Sequence, residues 1–321
     1  MPRVTTGARL HFGFQNLSLA HERLYGGLGV GIDEPGVTVE ATPSDGLEVD
    51  DDLARQYARE SIDRLGVPGA SVEVHRRLPR HVGLGSGTQL ALATYVAIAS
   101  AHDREPDVRS AAPALGRGGR SGVGVATFEA GGFVVDGGHP TDRFTTAPPA
   151  EGEWTVPPVL ARHRVPDAWR FVVVVPNAAR GQSGAEEDRT IRRVVEEADP
   201  GVADEISAVT TRRLLPAVAT DDVDAFGTAL ETIGRLNGSW YADEQGGVFR
   251  PPAGKLVSTL STSPAIEGAG QSSWGPAVYG LTDRDRVERA REDAEAALDE
   301  VDVGGEVRIT PADNDGAVVR R

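Results

Sequence analysis

Residues 78–89, LPRHVGLGSGTQ, run without a break into LALATYVAIASA, and this junction constrains the fold more than any other stretch. An uncharged, largely apolar run of that kind has no solvated face, so it predicts a helix buried all round. Ahead of it Gly83, Gly85 and Gly87 alternate with other residues, and Ser86 and Thr88 supply hydroxyls. A glycine-rich turn feeding a helix N-terminus leaves unpaired amides facing the turn and lets an anion approach the backbone. Gly83, Leu84, Gly85, Ser86, Gly87, Thr88 and Gln89 are therefore the expected phosphate-binding loop.

Composition narrows the classes of function. With 48 acidic against 33 basic residues the formal net charge is −15, and Lys255 is the only lysine. Carboxylate excess with arginine in place of lysine fits a salt-saturated cytoplasm, where charges are screened over about 3 Å at 1 M salt. It argues against nucleic acid as a partner, although local arginines can still bind a small anion. Cysteine is absent, which excludes disulfides and thiolate metal sites and points to the cell interior. No leader-like segment opens the chain, and the uncharged run is too polar in its first third to be a membrane span.

Along the chain, residues 4–12 read as a strand with Arg9 and His11 on one side. The glycines from Gly26 to Gly31 have the wrong spacing for a dinucleotide fingerprint and predict a turn and a close strand crossing. Strands are expected at 37–41 and 72–75, a helix at 53–65 after Asp50, Asp51 and Asp52, and a surface connection at 105–115. A second glycine-rich segment, 116–138, carries Arg117 and Arg120, which on such a framework can fork onto phosphate oxygens. It should contain a short helix at 122–130 and a strand at 133–135. Residues 139–167 carry no regular pattern, and a domain boundary is placed there, giving domains 1–165 and 166–321. Beyond it come a strand at 169–176, helices at 183–197, 203–219 and 221–236, the last capped by Asp221, and a loop at 237–252. A small-residue segment at 268–281, a helix at 283–301 and a strand at 306–309 complete the expectation.

Familiar chemistries fail on spacing. A Walker loop needs lysine beside its last glycine, where Thr88 stands, and GLGSGT lacks the Rossmann spacing. The seven histidines form no HxxxH or HExxH pair, so no zinc site is signalled. Gly85-Ser86-Gly87 lacks the strand-elbow-helix context of a hydrolase nucleophile.

The small-residue first strand, the PxxxGLGSG loop before an apolar helix and the late GAGQSS segment resemble the GHMP superfamily of small-molecule kinases. Within it, RLHFGFQNLS, RLYGGLGVGI, HVGLGSGTQLAL, GRGGRSGVGVATFEAGGFVVDGG, NGSWYADEQGGVF and GQSSWGPAVYG resemble the β-ribofuranosylaminobenzene 5'-phosphate synthase branch, with matches in both halves of the chain. The resemblance implies an α+β GHMP kinase fold. Its N-terminal domain is like ribosomal protein S5, with a left-handed βαβ crossover, and its C-terminal domain is ferredoxin-like. It implies condensation of 4-aminobenzoate or 4-hydroxybenzoate with phosphoribosyl pyrophosphate, losing carbon dioxide and pyrophosphate, as in tetrahydromethanopterin biosynthesis. Many GHMP proteins are dimers, which extends the expectation of a homodimer to this chain, although no sequence feature decides it. In kinases such as mevalonate kinase a catalytic aspartate follows the SG pair by one residue. Here Ser121-Gly122-Val123-Gly124 puts glycine at that place. A kinase must orient or deprotonate a hydroxyl, whereas an aromatic carbon attacking a ribosyl cation needs no such base, so the change favours the synthase.

On this reading the loop amides, with Mg²⁺, stabilise the departing pyrophosphate. Arg117 and Arg120, or Arg9 with His11, hold the 5'-phosphate or the benzoate carboxylate. The candidate catalytic residues are thus Arg9, His11, Arg117, Arg120 and Glu129; Glu129 and Asp136 are the candidate metal ligands. Gly268, Gly270, Gln271, Ser272 and Ser273 are expected to close the phosphate site. The alternatives are an ATP-dependent GHMP kinase whose base is recruited from Glu129 or Asp136, and a non-catalytic ligand-binding homologue.

Overall fold

The computed structural model describes residues 1–146, 149–150, 152–181 and 184–321. The first half contains β1 (Arg3–Asn16), β2 (Arg23–Pro43), β3 (Leu47–Val49), α1 (Asp52–Leu65), β4 (Ala70–Arg76), α2 (Ser86–Ala101), α3 (Val108–Ala111), α4 (Val123–Ala130), β5 (Phe133–Asp136), β6 (His139–Pro140) and β7 (Val159–His163). The second contains β8 (Trp169–Pro176), α5 (Ala185–Glu197), α6 (Pro200–Val209), α7 (Leu215–Ala219), α8 (Val223–Gln245), α9 (Ala253–Leu260), β9 (Ala269–Gln271), β10 (Val278–Asp283), α10 (Val287–Glu300), β11 (Gly305–Thr310) and β12 (Val318–Arg320). No helix among the described residues is long and apolar enough to cross a membrane.

The first sheet runs β12-β1-β2-β4-β3, with β5 and β6 on the far end of β2 and β7 beyond β5. Among the described residues its one parallel pair is β3 with β4, joined through α1. Strand β2 is continuous from Arg23 to Pro43 where separate runs were expected, because β1 pairs with it along its whole length, with register shifts at Gly7/Ala8 and His11/Gly13. Gly29 explains part of the glycine run. A Cβ there would lie 2.3 Å from Leu10 O and 2.7 Å from Val123 Cγ1, so only glycine lets α4 cross so closely. Helix α2 is buried from Gln89 to Ser100, against β1, β2, α1 and α4, as its uncharged sequence requires. Helix α1 is capped by Asp51, whose carboxylate accepts from the amides of Leu53 (3.0 Å) and Ala54 (2.9 Å).

The second sheet is antiparallel in the order β11-β8-β10-β9, and its strand–helices–strand–strand–helix–strand connectivity is that of a ferredoxin-like unit. Strand β8 is apolar on both faces because both are covered. Phe171 and Val173 join the large core with Phe226, Leu230 and Ile233 of α8, while Val172 and Val174 meet Leu256 of α9 and Ala294 of α10. The sheets change over between β7 and β8, near the expected boundary at 165. The final strand returns to pair with β1, and the large core runs through both halves.

Several expected elements differ, each for an identifiable reason. Helix α8 is capped by Asp222, which accepts from the Ala225 amide at 2.9 Å; Asp221 instead sits at φ 57° and accepts from the Trp169 indole at 2.8 Å. The helix continues to Gln245 through what reads as a loop, because buried Asn237 and Gly238 pack against other segments. The helix expected over 203–219 is broken by a π-turn, Thr210–Leu214, just ahead of Pro216, which has no amide to continue the ladder. The connection at 105–115 carries α3 and buries Ala111, Ala112 and Leu115. The unpatterned stretch 139–167 holds β6 and β7, and its residues 147, 148 and 151 lie outside the described residues. Ser183, the expected start of α5, also lies outside them.

Candidate active site

Helix α2 opens with Gly85 as its N-cap, at φ 76°, and no side chain caps it. The ladder starts with Gln89 N donating to Gly85 O at 3.0 Å, so the amides of Ser86, Gly87 and Thr88 form an uncapped first turn. Ser86, Gly87 and Thr88 line a cleft of about 540 Å³ together with Arg9, Arg117 and Glu187. The loop before them is clamped. Gly83 O accepts from Arg9 Nη1 (2.8 Å) and from Ser272 Oγ (2.7 Å), and Ser272 Oγ accepts in turn from His11 N at 3.0 Å. Arg9 N donates to Leu84 O (3.2 Å) and Ala277 N to Val82 O (3.0 Å). Strand β1, the glycine loop and the turn after β9, remote in sequence, thus hold one another in place.

Positive charge converges on the uncapped turn. Arg80 and Arg117 share the cleft wall with Arg9. Burial lowers the Arg9 pKa to about 10 against the opposing pull of Glu187, so it stays cationic at neutral pH. Arg117 lies over the Tyr57 ring at 5.3 Å, and its Nη2 donates to the Tyr57 hydroxyl. A Cβ on Gly87 would come within 2.9 Å of Arg117 Nη1, which fixes the guanidinium against the first turn of α2. Arg117 Nε is buried and has no partner among the described residues. His81 is pushed down by burial and by Arg80, Arg180 and Arg117 around it, so it is neutral there. The acid of the cleft is Glu187, which accepts from the Trp274 indole at 3.1 Å and pairs with Arg120 at 3.2 Å. Burial raises the Glu187 pKa, against the opposing effects of Arg120 and Trp274.

The expected site residues separate into those the fold brings to the cleft and those it does not. Arg9, Arg117, Gly83, Gly85, Ser86, Gly87, Thr88 and Ser273 line it. Leu84 is 1% exposed and Gln89 1%. Gln89 clamps the interior: its Oε1 accepts from Thr6 Oγ1 at 2.9 Å and its Nε2 donates to Gly124 O at 3.0 Å. Arg120 does not reach the cleft as a free cation; it is committed to Glu187 and Asp188 at the start of α5. Although near Arg9 on the strand, His11 lines a separate pocket. Glu129 pairs with Arg109 at 3.2 Å and is not among the cleft residues. Asp136 is wholly buried, with Oδ2 accepting from Gly122 N (2.7 Å) and Ser121 Oγ (3.1 Å) and Oδ1 from Gly138 N (2.9 Å). Its carboxylate therefore ties β5 to α4, and no face of it is turned to the cleft. Gly268 packs on Gly227 of α8 and Gly270 on the Tyr279 hydroxyl. Gln271 accepts from Arg250 N at 2.8 Å and donates to Ser273 O at 2.9 Å, and Ser272, fully buried, supports the loop from beneath.

Gly124 faces the start of α2, where a Cβ would lie 3.2 Å from Thr88 Cγ2, and it presents no carboxylate there. Tyr57 and Glu187 enter the site from segments where no sequence signal marked them, while Arg80 and Trp274 belong to the two marked segments, 78–89 and 268–281, without having been named for the site. Glu187 reads along the chain as one member of an acidic first turn, Glu186-Glu187-Asp188, of the kind that complements a helix dipole.

The sequence family described as the GHMP kinases N terminal domain matches residues 52–132. The mevalonate kinase of Methanococcus jannaschii superposes with a TM-score of 0.67 at 14% identity, covering 97% of this chain and 98% of that one. The fold is thus that of the GHMP kinase class. Within that class, the β-ribofuranosylphenol 5'-phosphate synthase of Methanothermobacter thermautotrophicus is 31% identical over 98% of this chain and 97% of its own length. The synthase of the same name from Archaeoglobus fulgidus is 33% identical over 91% of this chain and 92% of its own. The chain belongs to the β-ribofuranosylphenol 5'-phosphate synthase family.

Proposed function

We propose that this chain condenses a para-substituted benzoate, 4-hydroxybenzoate or 4-aminobenzoate, with phosphoribosyl pyrophosphate, releasing carbon dioxide and pyrophosphate and forming an aryl C-riboside 5'-phosphate. The observation that carries the reading is the pairing of an intact, uncapped anion loop with glycine at position 124. The phosphate machinery of the fold is kept, and the place facing Thr88 offers no base for a hydroxyl nucleophile.

The ring carbon bearing the carboxylate attacks C1 of the ribose, and the C1–O bond breaks with both electrons leaving on the pyrophosphate. Amides of the first turn of α2 and the guanidinium groups of Arg9 and Arg117 face that developing charge. In a water-poor site, a preorganised donor of this kind is worth about 3 kcal/mol. The bond between ring and carboxylate then breaks, its electrons restore the aromatic ring, and carbon dioxide departs without any redox partner.

The donor set of the cleft fits Mg²⁺ carried largely by the substrate. Among the described residues no cluster of metal-ligating side chains stands ready, but the cleft offers the Glu187 carboxylate and the Ser86 and Thr88 hydroxyls. Those are hard oxygen donors of the sort that supplement phosphate oxygens around this ion. When bound, the metal would neutralise pyrophosphate charge. The composition, acidic, cysteine-free and almost lysine-free, supports a salt-rich cytoplasm as the setting.

The test is release of labelled carbon dioxide from carboxyl-labelled 4-hydroxybenzoate and 4-aminobenzoate in molar KCl. Release that requires phosphoribosyl pyrophosphate and stops with EDTA is expected. Phosphate transfer from ATP to a small alcohol, with no carbon dioxide release, would overturn the reading in favour of a kinase.

A further inference from the structure

Among the described residues that line the anion cleft, Glu187 is the only acid. A carboxylate set among Arg9, Arg80, Arg117 and an uncapped helix turn works against a bound pyrophosphate, so its place there points to a different ligand. Its protein contacts fall on one oxygen. The Trp274 indole donates to Oε1 at 3.1 Å, and Arg120 Nη1 pairs with the same atom at 3.2 Å. Among the described residues Oε2 makes no hydrogen bond, and it is not sealed from solvent as Arg117 Nε is. The side chain is 27% exposed, so a ligand in the cleft can reach it.

Trp274 stands beside this carboxylate. Tyr241 meets it edge to face at 4.9 Å, and its indole N–H is committed to Glu187, so the ring is held in one orientation on the cleft wall. The cleft of about 540 Å³ is more than three times the roughly 150 Å³ of a cavity that takes up benzene. A substrate ring and the anionic groups therefore share one continuous space.

The acids admitted by the synthase reading, 4-hydroxybenzoate and 4-aminobenzoate, have one feature in common besides the carboxylate. Each carries a hydrogen-bond donor para to the carbon that attacks the ribose. We propose that Glu187 Oε2 accepts the hydrogen bond of this para O–H or N–H, with the ring beside Trp274 and its carboxylate-bearing carbon turned toward the first turn of α2. Glu187 is then the residue that selects the acid, and the inference rests on the synthase reading above. A negatively charged acceptor makes this a strong hydrogen bond. It also pushes electron density through the ring to the attacking carbon while the proton stays on the substituent. The Ser86 and Thr88 hydroxyls are left to the ion that the pyrophosphate carries.

Affinity isolates this contact better than rate, because the para substituent also alters the reactivity of the ring. With pyrophosphate and Mg²⁺ present, calorimetry on the full chain should show the wild type binding 4-hydroxybenzoate and 4-aminobenzoate at least about tenfold more tightly than 4-fluorobenzoate, which is close to them in size and has no donor. Glu187→Gln keeps the shape of the side chain. Its amide oxygen stays with Trp274 and Arg120, so its NH2 takes the place of Oε2 and donates. The preference for 4-aminobenzoate should then shrink to within about twofold of 4-fluorobenzoate, while 4-hydroxybenzoate, whose oxygen can accept, keeps part of its advantage. A variant that weakens all three acids alike would show that Glu187 only supports the wall, and overturns the assignment. A wild type that releases carbon dioxide yet binds the fluoro acid as tightly as the other two also overturns it, and leaves the reaction standing. Absence of carbon dioxide release from either acid with phosphoribosyl pyrophosphate overturns the reaction and the assignment with it.

Discussion

Gly85 is where sequence and chemistry meet most closely. Its φ of 76° lies in the left-handed region, and a Cβ would press to 2.8 Å from Arg9 Cγ, the side chain that also clamps Gly83. Gly85→Val should remain folded, at a conformational cost of about 1–2 kcal/mol, yet lose phosphoribosyl pyrophosphate affinity by about 100-fold as Arg9 and the first amides shift. Circular dichroism and calorimetry on the same sample check both halves, and unchanged affinity in a folded variant would remove the loop from the binding site. The loop was legible because its signal is local: glycine spacing and a helix start can be read from adjacent residues. Glu187 and Tyr57 were not legible, since each reaches the cleft only through the packing of distant elements, whereas Arg80 and Trp274 stand beside residues that the sequence did mark. Asp136 shows the converse. Its place in a glycine-rich segment suggested a metal ligand, but sequence could not show that the amides of Gly122 and Gly138 and the Ser121 hydroxyl take up its oxygens.

Helix α8 and strand β1 pose the same problem one level up. Asn237, in the middle of α8, accepts from Phe14 N at 2.7 Å and donates to Phe14 O at 2.9 Å, so a side-chain amide does for β1 what a neighbouring strand would do. The segment NGSWYADEQ is poor in helix formers at its start and reads as a loop; burial of Asn237 and Gly238 against neighbouring segments overrides that local preference. Long apolar runs, such as α2 and β8, are placed by the sequence to within a few residues, whereas β6, β7 and β12 escape it because short edge strands owe their existence to a partner. Asn237→Ala should leave the Phe14 amide and carbonyl without these partners, at about 2 kcal/mol. A fall in thermal midpoint is expected; a variant as stable as the wild type would show that the bridge contributes nothing to holding the elements together.

At the scale of the whole molecule, the large hydrophobic core extends through both halves, and the last strand closes back onto the first. That continuity could not be read from a boundary placed by composition at 165, because a linker-like stretch and a sheet crossover look alike in sequence. What composition did reveal is electrostatic. A formal net charge of −15 acts against the compact state at low ionic strength. Surface ion pairs such as Arg164 with Asp315 and Arg193 with Glu244 offset only a little of it. Raising KCl from 0.1 to 2 M shortens the screening length from about 10 Å to below about 3 Å, which removes most of the repulsion while leaving the core untouched. If that repulsion costs about 3 kcal/mol, the thermal midpoint should climb by roughly 5 °C for a chain of this length. Sucrose, which strengthens burial without screening charge, should give a much smaller rise. A midpoint that is flat or falling in KCl would mean that repulsion among the surface carboxylates does not weigh on the stability of this fold.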